Sequence, residues 1–204
     1  MNNNIEFVYF DIGGVFIDWR PGLEKIAQEL DIPIKAVHDL FPQYAQKIDL
    51  GIKTWDDFGQ ALIQEYNLQT KFTKPPLHLF VDAFNIITET HQLAKDLQGK
   101  FQLGLLSDVD VKVFKRTFSQ GKIPQIPYQA VILSSQVGFV KPQPEIYKYA
   151  LKKAKVVPEK ILFIDDKPDN IEVAKAFGWQ GYVFNTDQPQ KSVKEIKQLL
   201  LSLV

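Results

Sequence analysis

The run Phe7-Val8-Tyr9-Phe10 has no charged position, delivers a carboxylate at Asp11, and passes at once into Ile12-Gly13-Gly14-Val15. A strand that is apolar on both sides belongs in a sheet covered on both faces, and such sheets are parallel with helices packed above and below. The paired glycines let the backbone turn sharply where the strand ends. Taken alone, the stretch fits either a catalytic aspartate or an aspartate that merely opens a turn after a buried strand. The choice between them rests on residues more than ninety positions further along the chain.

After this first strand, read over residues 5–10, the texture changes. From Pro21 to about Phe84 the apolar residues recur at helical spacing with almost no strand signal. Leu23, Ile26, Ala27 and Leu30 define one helix, broken at Asp31-Ile32-Pro33. Residues 35–48 define a second, which ends near Gly51 and carries Pro42 as a kink or break. Thr54 with Asp57 three residues on resembles a capping box for a third, and Lys74-Pro75-Pro76 reads as a stiff turn into a short fourth.

Beyond this insert, strands alternate with helices. Strands are expected over residues 101–106, 130–133, 160–164 and 181–184, and helices over 87–97, 111–118, 171–177 and 192–203. A further helix follows Lys141-Pro142, with Pro142 at its first position and Ile146, Tyr149 and Ala150 on one face. The expected fold is α/β, a doubly wound parallel sheet with a small all-α cap inserted after the first strand. The core would comprise residues 1–18 and 86–204, and the cap residues 19–85.

Composition narrows the partners. Lys plus Arg and Asp plus Glu are equal at 24 each over 204 residues, so no global field draws nucleic acid or an acidic membrane. The absence of cysteine excludes disulfides, thiolate catalysis and cysteine-based zinc sites. The start Met-Asn-Asn-Asn-Ile-Glu lacks a secretory pattern and no apolar run reaches bilayer length, so the expectation is a cytoplasmic protein with a small-molecule partner.

In open parallel sheets ligands gather outside the carboxyl ends of the strands. The residues at those ends are Asp11 and Gly13, then Ser107 and Asp108, then Lys141, then Asp165 and Asp166. Each type suits phosphoryl transfer. Carboxylates crowded at one crevice repel one another, and a hard divalent cation with oxygen ligands relieves this, Mg²⁺ being the fitting choice beside phosphate. Asp11 and Asp166 read as direct ligands, and Asp165 as acting through a water or a hydrogen bond. Lys141 brings compact positive charge to phosphoryl oxygens, while the Ser107 hydroxyl and adjacent N–H groups bind another. Ionised Asp11 is then free to attack phosphorus and form an aspartyl phosphate.

Four stretches, Phe10-Asp11-Ile12-Gly13-Gly14-Val15, Leu106-Ser107-Asp108, Val140-Lys141-Pro142 and Phe163-Ile164-Asp165-Asp166-Lys167-Pro168-Asp169-Asn170, resemble the ordered motifs of the haloacid dehalogenase superfamily. The resemblance spans residues 5 to about 185. It implies a Rossmann-like core, a small helical cap, and a Mg²⁺-dependent phosphohydrolase acting on a small phosphorylated metabolite. It also implies that Asp11 is nucleophile and metal ligand, that Gly13 lends its carbonyl to the metal, and that Asp166 is the second carboxylate ligand, supported by Asp165. Ser107 and Lys141 bind and stabilise the phosphoryl group, with Gly14 and Asp108 beside them.

The pattern breaks at Gly13. Most relatives carry there an Asp that serves as general acid and base, and such assistance is worth roughly a hundred- to ten-thousandfold. Three readings stay open. One is a phosphatase for stable leaving groups such as an anomeric sugar phosphate, similar to the glucose-1-phosphatase-like branch that also carries Gly. Another is a metal-independent haloacid dehalogenase, which has little use for Asp165-Asp166. The third is a non-catalytic phosphoryl-ligand sensor, which Ser107-Asp108 favours because relatives usually have Asn second. The acidic pair favours the phosphatase.

Other residues carry less. His38, His78 and His91 lie beside no motif, so a Ser-His-Asp triad has no support. Arg20 either meets a second anionic group of the substrate or sits on the surface next to Trp19. Asp169 and Asn170 read as helix caps or as support for the metal, and Asp18 and Asp110 as solvent-facing. Tyr44, Trp55, Phe58 and Tyr66 are the aromatic candidates for substrate selection.

Overall fold

The computed structural model describes residues 5–69 and 71–202, so the initial asparagines and the expected helix end at Leu203 lie outside the described residues. The chain enters through β1 (Phe7–Phe10) and turns into β2 (Ile17–Asp18). It then forms α1 (Arg20–Leu30), α2 (Ile34–Asp49), α3 (Trp55–Glu65) and α4 (Pro76–Asp82) before β3 (Asn85–Ile86). Next come α5 (Thr88–Leu97), β4 (Gln102–Ser107), α6 (Val111–Ser119), β5 (Ala130–Leu133), α7 (Ser134–Val137) and α8 (Pro144–Ala154). The chain closes with β6 (Ile161–Asp165), α9 (Pro168–Ala176), β7 (Gln180–Val183) and α10 (Pro189–Ser202).

The main sheet has the order β5-β4-β1-β6-β7 with every neighbouring pair parallel. Central β1 sits between β4 and β6, with Phe10 in register with Leu105 and Ile164. The chain runs outward through β4 and β5, then crosses back to β6, which makes the end of β1 the topological switch point. Asp11 leaves the sheet there.

Alternation along β1 divides the core. Val8 and Phe10 pack with Leu93 and Leu97 of α5 and Ile196 and Leu200 of α10 on one face. Phe7 and Tyr9 pack with Ile146, Tyr147 and Ala150 of α8 and with Ile171 and Ala174 of α9 on the other. Each such aromatic or aliphatic side chain, fully buried, stabilises the fold by about 1.5–3 kcal/mol relative to exposure. Tyr9 offsets the burial of its hydroxyl by donating it to the Ala150 carbonyl at 2.9 Å.

Between β2 and β3 the four helices α1–α4 follow the expected pattern, including the capping box, in which Asp57 N–H donates to Thr54 Oγ1 at 3.0 Å and Thr54 N–H to Asp57 Oδ2 at 2.8 Å. Pro42 does not break α2. It lies on the exposed face, where the carbonyl its missing N–H releases, on exposed His38, can be hydrated.

The start and the inner face of one expected helix are corrected. The helix after Lys141 begins at Pro144, because Gln143 closes a turn onto Val140, donating its N–H to the Val140 carbonyl at 2.8 Å and accepting the Val140 N–H on Oε1 at 2.9 Å. Its inner face carries Tyr147, while Tyr149 is exposed. The antiparallel β2–β3 ribbon and α7 were not expected, since elements of two to four residues leave no periodicity to read. No helix among the described residues is long and apolar enough to cross a membrane.

Candidate active site

Strand ends deliver the charged groups to one place. Lys141 Nζ lies 3.0 Å from Asp11 Oδ1, 2.6 Å from Asp165 Oδ2 and 3.1 Å from the Leu106 carbonyl. The ammonium donates hydrogen bonds to Asp165 and to the Leu106 carbonyl and forms an ion pair with Asp11, around a side chain only 1% exposed. Lys141 is thereby fixed as a point charge beside Asp11.

Asp165 is held on every side. Its Oδ1 accepts from the Lys167 N–H at 2.8 Å and from Asn170 Nδ2 at 2.9 Å, and its Oδ2 accepts from Asn170 Nδ2 at 3.0 Å. Asn170 is therefore not a cap: α9 begins at Pro168, which takes the first turn, and Asn170 turns inward while Asp169 is exposed. The lone sequence signal for this role is the five-residue spacing from Asp165.

Asp166 presents the opposite condition. Its Oδ1 is buried with no hydrogen-bond partner, and Gly14, at φ +74°, lies against its carboxylate. Asp11, Asp165 and Asp166 each offer an oxygen, and these oxygens all lie within 4.8 Å of one another. Three carboxylates against one ammonium, one of them with an orphaned buried oxygen, fit a hard divalent cation. Among the described residues no donor reaches the Gly13 carbonyl, which leaves it available as a further oxygen ligand.

The electrostatics agree. Burial pushes Asp11 up to about 7; Lys141 pulls it down, Asp165 and Asp166 push it up, and the Ser107 hydroxyl pulls it down. Burial raises Asp166 as well, with Asp165 adding to it. Burial alone would lower Lys141, yet Asp11, Asp165 and Asp108 together hold it well above its ordinary value. The lysine stays charged while the acids lack sufficient positive charge.

Ser107 ends β4 buried beside Asp11. Asp108 turns Oδ1 to the Lys141 backbone N–H at 2.9 Å, so one oxygen of this extra carboxylate positions the lysine loop.

A cavity of about 210 Å³ opens from this end. Asp11, Gly13, Ser107, Asp108 and Asp166 line its polar floor, and Trp19, Phe41, Trp55, Phe80 and Phe84 its aromatic wall. Of the four aromatic candidates only Trp55 reaches it. Phe58 is in the core, Tyr44 packs against Phe58, and Tyr66 is exposed. Asp49, from the end of α2, faces the same cavity. No local pattern marks it, because its position depends on where the whole helix docks.

Arg20 does not reach the cavity. It binds Asp18 at 2.8 Å and Asp187 at 2.9 Å on the surface, so Asp18 is paired rather than free. Asp110 likewise does not simply face solvent: its Oδ1 caps α6 through the Lys112 N–H at 2.8 Å, and it borders the cavity. His91 binds the Lys122 carbonyl at 3.2 Å, a structural contact.

Comparison with known proteins gives a family. The haloacid dehalogenase-like hydrolase profile matches residues 5–178. A stretch of 85 residues is 34% identical to a D-ribitol-5-phosphate phosphatase of Bacteroides thetaiotaomicron, covering 42% of this chain and 39% of that protein. Over 207 aligned residues the chain is 32% identical to acyl-CoA dehydrogenase family member 10 of Mus musculus, covering 95% of this chain and 19% of that protein. The matches thus span well under half the length of these curated relatives. In fold, the chain is similar to a haloacid dehalogenase family enzyme of Bacteroides thetaiotaomicron solved with magnesium and inorganic phosphate, at TM-score 0.72 and 21% identity, with 89% of this chain and 95% of that one covered.

Proposed function

The chain belongs to the haloacid dehalogenase-like hydrolases, and from that premise we propose that it is a Mg²⁺-dependent phosphomonoesterase acting on a small phosphorylated metabolite through an aspartyl phosphate. The observation that carries this is the convergence of Asp11, Asp165 and Asp166 within 4.8 Å, with Lys141 3.0 Å from Asp11. The phosphatase-named relative and the magnesium and phosphate complex of the structural relative support it.

Asp11, Asp166 and the Gly13 carbonyl would hold the metal, which when bound supplies positive charge against the acids and the phosphoryl oxygens. Asp11 attacks phosphorus as the bond to the leaving oxygen breaks. Lys141 and the Ser107 hydroxyl face the charge gathering on the phosphoryl oxygens. Asp165, fixed by Asn170, keeps Lys141 in place, and a water then cleaves the phosphoenzyme. Residues 19–85 act as a cap over a core of residues 1–18 and 86–204, with the β2–β3 ribbon as the joint, and closure excludes water.

Gly13 itself provides no acid, so the site either takes a leaving group that departs readily, such as the anomeric oxygen of a sugar 1-phosphate, or draws the proton from another residue of the cavity. Hydrolysis of p-nitrophenyl phosphate that needs Mg²⁺ and is abolished in Asp11→Asn tests the reaction, and a panel of sugar 1- and 6-phosphates tests the leaving group. Turnover of the 6-phosphates alone would overturn the leaving-group argument. Chloride release from 2-chloropropionate in the presence of a chelator would replace phosphatase with dehalogenase.

A further inference from the structure

A proton source is missing beside the nucleophile, and the structure shows that position 13 has little space for one. A Cβ built on Gly13 would lie 3.3 Å from Cδ1 and 3.6 Å from Nε1 of Trp19, so a side chain there would press against the indole. Any acid must therefore come from elsewhere on the cavity wall. The carboxyls that line it are Asp11, Asp49, Asp108, Asp110 and Asp166. Asp11 is the nucleophile and Asp166 a metal ligand, Asp108 holds the Lys141 backbone, and Asp110 caps α6. Asp49 is left, and its carboxyl makes no hydrogen bond or ion pair with the described residues.

We propose, resting on the phosphatase reading above, that Asp49 is the general acid and base of this enzyme, supplied from the end of α2 across the cavity in place of the side chain that Gly13 lacks. Its backbone is tied down for the task. The Ser134 hydroxyl donates to the Asp49 carbonyl and accepts the Val109 N–H at 2.9 Å, which links the end of α2 to the loop that follows Ser107.

The environment keeps the carboxyl protonated. A carboxylate at the C-terminal end of a helix of 16 residues meets the negative end of the helix dipole. Burial pushes Asp49 up to about 8; Asp108 raises it further, Lys167 opposes, Asp11 raises it and Lys141 opposes. An acid near neutrality suits proton transfer in both directions.

In the first step Asp11 forms a bond to phosphorus, the ester P–O bond breaks, and the Asp49 proton goes to the departing oxygen. In the second, water forms a bond to phosphorus, the P–O bond to Asp11 breaks, and the water proton returns to Asp49. The cycle closes with Asp49 protonated and Asp11 free.

The test compares p-nitrophenyl, phenyl and 2-phenylethyl phosphates, which share one ring and differ in how badly the leaving oxygen needs a proton. In Asp49→Asn, kcat/KM is expected to fall about a hundredfold or more for 2-phenylethyl phosphate and less than about tenfold for p-nitrophenyl phosphate, with phenyl phosphate between. The wild-type rate on 2-phenylethyl phosphate should decline above about pH 8, and the variant should lose that limb. The graded loss itself shows that the variant is folded, because a damaged fold lowers all three together. Equal losses on all three esters, or none on any, would overturn the assignment while leaving the phosphatase intact. Failure of the wild type on every ester, with Mg²⁺ present, would remove the phosphatase reading and this one with it.

Discussion

Gly14 and Asp166 are packed so closely that a methyl group on Gly14 would fall 2.3 Å from Oδ2 of Asp166. The glycine leaves open the space that the carboxylate occupies, and the backbone there is left-handed as well, with φ +74°. Gly14→Ala should therefore displace the proposed metal ligand and add about 1–2 kcal/mol of backbone strain. The expected outcome is a Mg²⁺ requirement raised at least tenfold, read from activity against metal concentration, with a modest drop in melting temperature. Unchanged metal dependence would mean that Asp166 is not a ligand.

Lys141 is the sole cation bonded to both Asp11 and Asp165 among the described residues. Removing one partner of a buried ion pair leaves an uncompensated charge and costs about 3–5 kcal/mol. Lys141→Met should accordingly shift the urea midpoint downward and abolish turnover. Asp11→Asn, which keeps the shape but removes one buried acid, should abolish turnover without that destabilisation. Comparing their denaturation curves separates the structural from the chemical part of the site.

Asn170 touches neither Asp11 nor the cavity, yet it donates to both oxygens of Asp165. Such supporting contacts are typically worth about 10- to 100-fold in metal affinity or activity. Asn170→Ala is expected to lower kcat/KM by about that factor, with folding retained by circular dichroism. An effect under about twofold would show that Lys141 and the Lys167 N–H suffice to hold Asp165.

The metal-free protein should lose stability as pH rises. Asp11, ordinarily near 3.8, is pushed up to about 7 and Asp49 to about 8. Between those limits the folded chain holds protons that the unfolded chain releases, so the unfolding free energy declines with rising pH and the loss is complete above the folded values. The expected result is a melting temperature that falls from about pH 5 to about pH 8 without metal, with saturating Mg²⁺ restoring most of it at the upper end, because the cation favours ionised Asp11. A melting temperature that rises through this window would contradict the raised acids.

The alternation of apolar strands with helices was legible along the chain, as was the helical insert, because burial on both faces of a sheet leaves runs such as residues 7–10 and helical faces leave spacings such as Leu23, Ile26, Ala27 and Leu30. The same reading marked Asp11, Ser107, Lys141, Asp165 and Asp166, since strand ends are where a parallel sheet presents ligands. Misplaced starts, at Pro142 instead of Pro144 and at Ile171 instead of Pro168, arose where two prolines or a short turn offered equal local signals.

Local sequence determined which elements form and which residues end them, because propensity, capping and burial act over a few neighbouring positions. Tertiary structure alone decided that Lys141 is shared between Asp11 and Asp165, that Asn170 turns inward, that Arg20 is held on the surface by Asp187, and that Asp49 lines the same cavity as Gly13. Those relationships join residues up to 167 positions apart. They depend on how helices dock and in what order strands pair, and no short-range pattern in the chain encodes that.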